Sequence, residues 1–148
     1  MSRHKSRQQA LELLYSREFH KENDIQYKET EILEQDSLTA EDLTADTDEI
    51  TDQDEQAYCQ YLLDTVSDHK AELDTVIQTY AKDWNVDNMN HTDRNILRLA
   101  LCELMYPKEP MASSIVLNEA IILAKEFSGQ KAARFVNGIL GAYVKAQP

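Results

Sequence analysis

The sequence predicts an all-α protein, and three observations carry that expectation. Apolar residues recur at three- and four-residue spacing along most of the chain. Three Gly and three Pro in 148 residues supply too little turn chemistry for a many-stranded sheet. No convincing strand pattern and no internal repeat interrupts the helical periodicity. The length suits one domain over residues 1–148, compact and built from about six or seven helices.

The elements follow in order. Ala10, Leu11, Leu14 and Tyr15 place an amphipathic helix over residues 5–20. Arg3 and Arg7 continue the line of Ala10 and Leu14, and two arginines on a core-facing line are not both buried. Either the helix overhangs the core there or the arm leaves it. Residues 24–34 can form a short helix around Ile25, Tyr27, Ile32 and Leu33. Residues 35–54 are rich in Asp, Glu and Thr, lack Lys and Arg, and read as an acidic insertion: a solvated loop or a marginal helix.

From Tyr58 the periodicity strengthens. Tyr58, Tyr61, Leu62, Thr65, Val66 and His69 form one stripe, and Leu73, Val76, Ile77, Tyr80, Ala81 and Trp84 another, with a break near Ser67–Asp68. "NVDNMN" reads as a loop. Thr92 can cap the next helix, which carries Ile96, Leu97, Ala100, Leu101 and Leu104 until "YPKEP" stops it. "SSIVLNEAIILAKEF" turns Val116, Ala120, Leu123, Ala124 and Phe127 inward, and Gly129 fits the position just past its end. "QKAARFVNGILGAYVKA" turns Val136, Ile139, Leu140 and Tyr143 inward. Gly138 and Gly141 lie inside this helix at a cost of about 1 kcal/mol each against Ala, which points to close packing by another helix or a ligand.

Charge is unevenly placed. The net charge is −12, yet residues 1–21 hold five Lys/Arg against two acids and residues 125–148 hold four against one. Residues 22–57 hold one Lys against fourteen acids. Phosphate responds to such patches within a Debye length of roughly 8 Å, so total charge does not exclude nucleic acid. No apolar run reaches the roughly 20 residues of a membrane span, and no signal core follows the basic start. A cytoplasmic protein is expected, with Cys59 and Cys102 as free thiols. His4, His20, His69 and His91 show no metal-ligand spacing. With no nucleophile–base arrangement and no phosphate loop, the expectation is a protein that is not an enzyme and needs no cofactor.

Three stretches, "RNILRLALCELMY", "SIVLNEAIILAKEF" and "ARFVNGILGAYV", closely resemble the NusB family of bacterial transcription antitermination factors, and "SRQQALELLYS" resembles the family's first helix. The resemblance covers most of residues 3–20 and 58–146. It implies two small helical bundles packed together. It also implies a function: pairing with the ribosomal protein NusE, binding boxA RNA chiefly of ribosomal RNA operons, and helping RNA polymerase, with other Nus factors, to resist termination. Monomer and homodimer both stay open. The chain departs from the family in its long acidic stretch and in His4, where an arginine is typical.

Taken alone, the basic head reads as a frayed soluble tail; the resemblance makes Arg3, Lys5 and Arg7 candidates for RNA binding. Phe135 lies about 100° from Val136 on a helical wheel, at the shoulder of the apolar stripe beside Lys131 and Arg134. It is either a stacking platform for an unpaired base or a half-buried core residue. Asn137, on the other shoulder, matches the family motif and can equally bond nearby backbone. The resemblance places partner-facing residues at Asp93 and Arg94, and Tyr80 belongs to that surface or to the core. Arg98 pairs with Glu103 or reaches RNA. Acids of residues 35–54 either occupy the basic arm in competition with phosphate or act as a solubilising spacer. Two other functions compete: the RNA-binding portion of a ribosomal RNA methyltransferase, which requires a longer chain than one ending at Pro148, and a protein-interaction helical module that never touches RNA.

Overall fold

A computed structural model of the chain describes residues 3–18, 48–82 and 85–147. Five α-helices and one 3-10 turn are present among them: α1 (Arg3–Arg17), α2 (Asp48–Tyr80), the 3-10 turn (Val86–Asn88), α3 (His91–Met105), α4 (Ser113–Phe127) and α5 (Gln130–Ala146). There is no strand among the described residues. The chain divides into two compact units, residues 1–61 and 62–148.

Five helices among the described residues stand against the six or seven expected of the whole chain. The stripes beginning at Tyr58 and Leu73 both lie in α2, as two helical segments joined by a kink. The backbone is non-helical at His69 (φ −121°, ψ 20°), next to the break expected near Ser67–Asp68. Beside the bend, the His69 ring stacks on Tyr106 at 4.0 Å between centroids. Glu72 Oε1 accepts the Tyr106 hydroxyl at 2.7 Å and hydrogen-bonds His69 Nδ1 at 2.7 Å. Those bonds, the Tyr106 one foremost, hold the Glu72 carboxyl below its ordinary range and push the Tyr106 phenol up. The possible helix at 24–34, Trp84 and most of the acidic insertion lie outside the described residues. The backbone of residues 48–54, the end of that insertion, is α-helical.

In the first unit, α1 starts at Arg3, two residues earlier than the apolar pattern indicates, and ends at Arg17. Ala10, Leu11, Leu13 and Leu14 are buried, as are Tyr58 and Cys59 of α2. Ser6 Oγ donates to the Glu55 carbonyl at 2.9 Å, tying α1 to α2.

In the second unit α3, α4 and α5 pack on one another. Asn90, not Thr92, caps α3: its Oδ1 accepts the Asp93 N–H at 3.1 Å. A cap stands just outside the first helical turn with extended backbone, and Thr92 is already inside it. Every residue of α3 from Asn95 to Glu103 is buried. Arg98, 4% exposed, is therefore not available to RNA. Its guanidinium grips Asp74 with two bonds (Nε–Oδ1 2.7 Å, Nη2–Oδ2 2.8 Å) and donates to Asn95 Oδ1 at 3.0 Å. α4 buries Val116, Ala120, Leu123 and Ala124. Phe127, expected inward, is 41% exposed; it is the last residue of α4, after which the chain turns away. The Ala124 carbonyl accepts both the Ser128 and Gly129 N–H groups, and Gly129 takes φ +107°, a left-handed region that disfavours a side chain.

α5 buries Ala133, Val136, Ile139 and Leu140. Gly138 and Gly141 are not packing points within the described structure: a Cβ at either would meet nothing within 4 Å. Cys59 and Cys102 are free and buried, as expected.

Candidate nucleic-acid interface

Arg3, Lys5 and Arg7 of the first unit lie on α1. Lys5 is exposed. Arg3 and Arg7 lie one helical turn apart and reach the same aromatic ring, with guanidinium carbons 4.1 Å and 5.9 Å from the Tyr58 centroid. Both lie within cation–π range. Tyr58 in turn meets Tyr61 at 5.1 Å and 58°. Arg7 is only 3% exposed, so it is a core arginine and not a loose cation. The Arg3 side chain stays 21% exposed and pairs with Asp54, Nη1 to Oδ2, at 2.8 Å. The two arginines on a core-facing line have divided as sterics requires, one inside and one at the edge.

The second unit offers a different basic face. Lys131 and Arg134 on α5 are exposed, and neither has an ion-pair partner among the described residues. Phe135 is half-buried between that face and the core, and Asn137 is exposed. Lys131, Arg134 and Phe135 lie within about 100° of one another around the helix axis, whereas Asn137 lies about 160° from Phe135, on the other shoulder beyond Arg134. Because the buried positions of α5 are Ala133, Val136, Ile139 and Leu140, the cations and the aromatic edge are left on its outer side. The arrangement can bind phosphate electrostatically and stack a base.

The residues expected to face a protein partner fall into two groups. Tyr80 ends α2, and its ring meets Tyr143 of α5 edge to face at 5.9 Å and 88°. Burial pushes the Tyr143 phenol up, and Tyr80 adds to this. Asp93 and Arg94 open α3. Asp93 sits in the first turn, where a carboxylate complements the helix dipole. Its Oδ1 is enclosed and has no hydrogen-bond partner among the described residues. Arg94 Nη1 donates to the Val86 carbonyl at 3.1 Å, and Nη2 lies 3.0 Å from His91 Nδ1. It clamps the 3-10 turn, whose Val86 N–H is also held, at 2.9 Å, by Gln78 Oε1.

The NusB family model matches residues 4–145 of this chain. The chain belongs to the NusB family. Among curated relatives, the transcription antitermination protein NusB of Clostridium botulinum (strain Kyoto / Type A2) is 33% identical over 146 residues, 97% of this chain and all of the relative. That of Finegoldia magna is 31% identical over 98% of this chain and 95% of the relative. With the NusB of Elusimicrobium minutum identity is 42%, but over 56% of this chain and 59% of the relative. Among solved structures, a complex of the antitermination factors NusB and NusE with double-stranded RNA aligns over 99% of this chain and all of that one, at TM-score 0.74 and 26% identity. T. maritima NusB aligns over 99% and 93% at TM-score 0.73 and 26% identity.

Sequence reasoning missed Tyr58 and Asp54 as companions of the NusB arm. Their only sequence signal was the i,i+4 spacing of an acid and an aromatic at the start of the Tyr58 stripe.

Proposed function

We propose that this NusB protein is a transcription antitermination factor that binds boxA-type RNA together with NusE, chiefly on ribosomal RNA operons, and helps RNA polymerase resist termination in company with other Nus factors. The observation that carries the reading is the outer face of α5, where Lys131 and Arg134 are exposed beside the half-buried ring of Phe135. Two exposed cations beside an aromatic edge are what a single strand of RNA requires: phosphate neutralisation and a sequence-tolerant stacking surface. Arg3 and Lys5 add charge from α1, and Arg7 supports them from inside. Membership of a family whose relatives are named antitermination proteins supports the same reading. So does the likeness to a NusB that was captured with NusE and RNA. Asp93, Arg94 and Tyr80 are the proposed NusE-facing residues.

Filter binding of a boxA RNA, with and without NusE, tests the proposal. Binding should tighten when NusE is present and weaken steeply with salt. Absence of RNA binding under both conditions, with NusE binding intact, would leave only a protein-interaction module.

A further inference from the structure

The basic arm and the acidic stretch meet in the first unit, and their meeting place has a defined chemistry. Asp54 and Tyr58 are four residues apart on α2 and so face the same way. Arg3 lies across both, its guanidinium 4.1 Å from the Tyr58 centroid and its Nη1 2.8 Å from Asp54 Oδ2. One face of the guanidinium is seated on a ring, and one edge is given to a carboxylate. The ring and the carboxylate are not equivalent. Tyr58 is buried and fixed by its place in α2. The Asp54 side chain is 58% exposed, and an exposed ion pair of this kind contributes little.

We propose that Asp54 is an intramolecular substitute for RNA phosphate: it occupies Arg3 in the free protein, and RNA binding exchanges the carboxylate for a phosphate oxygen while the guanidinium keeps its seat on Tyr58. The inference rests on the RNA-binding reading above and adds its regulation. The exchange needs no refolding. The guanidinium is already held in place, and its planar array of donors accepts a carboxylate or a phosphate with the same geometry. RNA has the advantage in the exchange because it is a polyanion that releases counterions on binding, which a single carboxylate cannot match. The cost of displacing Asp54 is also a filter. A lone phosphate competes with it poorly, whereas a strand that engages other cations at the same time displaces it.

The test is a cycle measured by filter binding of boxA RNA at low and at physiological salt. Asp54→Asn removes the charge and keeps the shape. RNA affinity should rise roughly two- to five-fold at low salt, the range an exposed pair commands, and the gain should shrink as salt increases. In the Arg3→Ala background Asp54→Asn should give no gain. Asp68→Asn removes the same charge from an exposed position of the same helix and should change affinity by less. A gain that survives Arg3→Ala, or that Asp68→Asn reproduces, would show a general charge effect and overturn the exchange. Equal affinity of Asp54→Asn and wild type would overturn it too, leaving the RNA-binding reading intact. If neither protein binds RNA, that reading falls and the exchange falls with it.

Discussion

Replacing Arg7 with Ala separates what the basic arm does for the fold from what it does for RNA. Arg7 is 3% exposed, so truncation to Ala removes two buried methylenes, Cγ and Cδ. At ~0.8 kcal/mol each these are worth about 1.6 kcal/mol, and the Tyr58 ring at 5.9 Å adds ~0.5 kcal/mol. Releasing a desolvated charge offsets part of this. The net loss should be about 1.5 kcal/mol, a fall in Tm of about 3–6 °C for a chain of this size. Urea titration followed by circular dichroism should show a lower midpoint and an unchanged slope. Arg7→Met keeps most of the apolar stem and should recover most of the loss. RNA affinity of the folded Arg7→Ala protein should stay close to wild type, whereas Arg3→Ala should lower the salt slope of RNA binding by roughly 0.7, one single-strand phosphate contact. An Arg7→Ala protein that melts like wild type but loses RNA affinity would refute the division of labour, because the side chain would then be acting on RNA and not in the core.

Other substitutions give contrasting outcomes. Phe135→Leu should cost about 1–3 kcal/mol of RNA affinity by removing the stacking face, with thermal stability nearly unchanged; a large stability loss with normal RNA binding would place the ring in the core instead. Asp74→Asn removes the carboxylate that the buried Arg98 guanidinium grips with two bonds. Chemical denaturation should show a loss of about 2–3 kcal/mol, at or below the lower end for a broken buried pair because Asp74 keeps some exposure, while RNA binding should be unaffected. Gly138→Ala meets nothing within 4 Å and should stabilise α5 by about 0.5–1 kcal/mol; a loss of stability would mean the backbone there needs its freedom.

Much of the fold was legible because α3, α4 and α5 each carry an uninterrupted apolar stripe. Val116, Ala120, Leu123, Val136 and Leu140 are all buried where periodicity places them. The errors came from interactions that local pattern does not encode. Asp74 and Arg98 are 24 residues apart, so no helical wheel pairs them. Arg7 lay on the core line, but only the placement of Tyr58, from another helix of the same unit, shows that a ring is there to receive it. Thr92 and Asn90 are both competent caps, and the choice between them depends on where the preceding 3-10 turn delivers the chain. The kink at His69 was legible, one residue away, as the break near Ser67–Asp68, because the apolar stripe changes direction there. At the candidate interface, the outward placement of Lys131 and Arg134 and the shoulder position of Phe135 were readable from α5 alone. The seating of Arg3 on Tyr58 and Asp54 was not, since it joins residues 55 and 51 positions apart.

The central claim is that RNA lies on the outer face of α5, beside Phe135. Photo-crosslinking of a uridine-substituted boxA RNA to the protein in the presence of NusE, with the attached peptides located by mass spectrometry, tests it most directly. The account predicts crosslinks within residues 131–137, with Phe135 as the principal site and a strong loss of crosslinking in the Lys131→Ala/Arg134→Ala protein. Efficient crosslinking that leaves α5 unlabelled and is indifferent to that double substitution would contradict it.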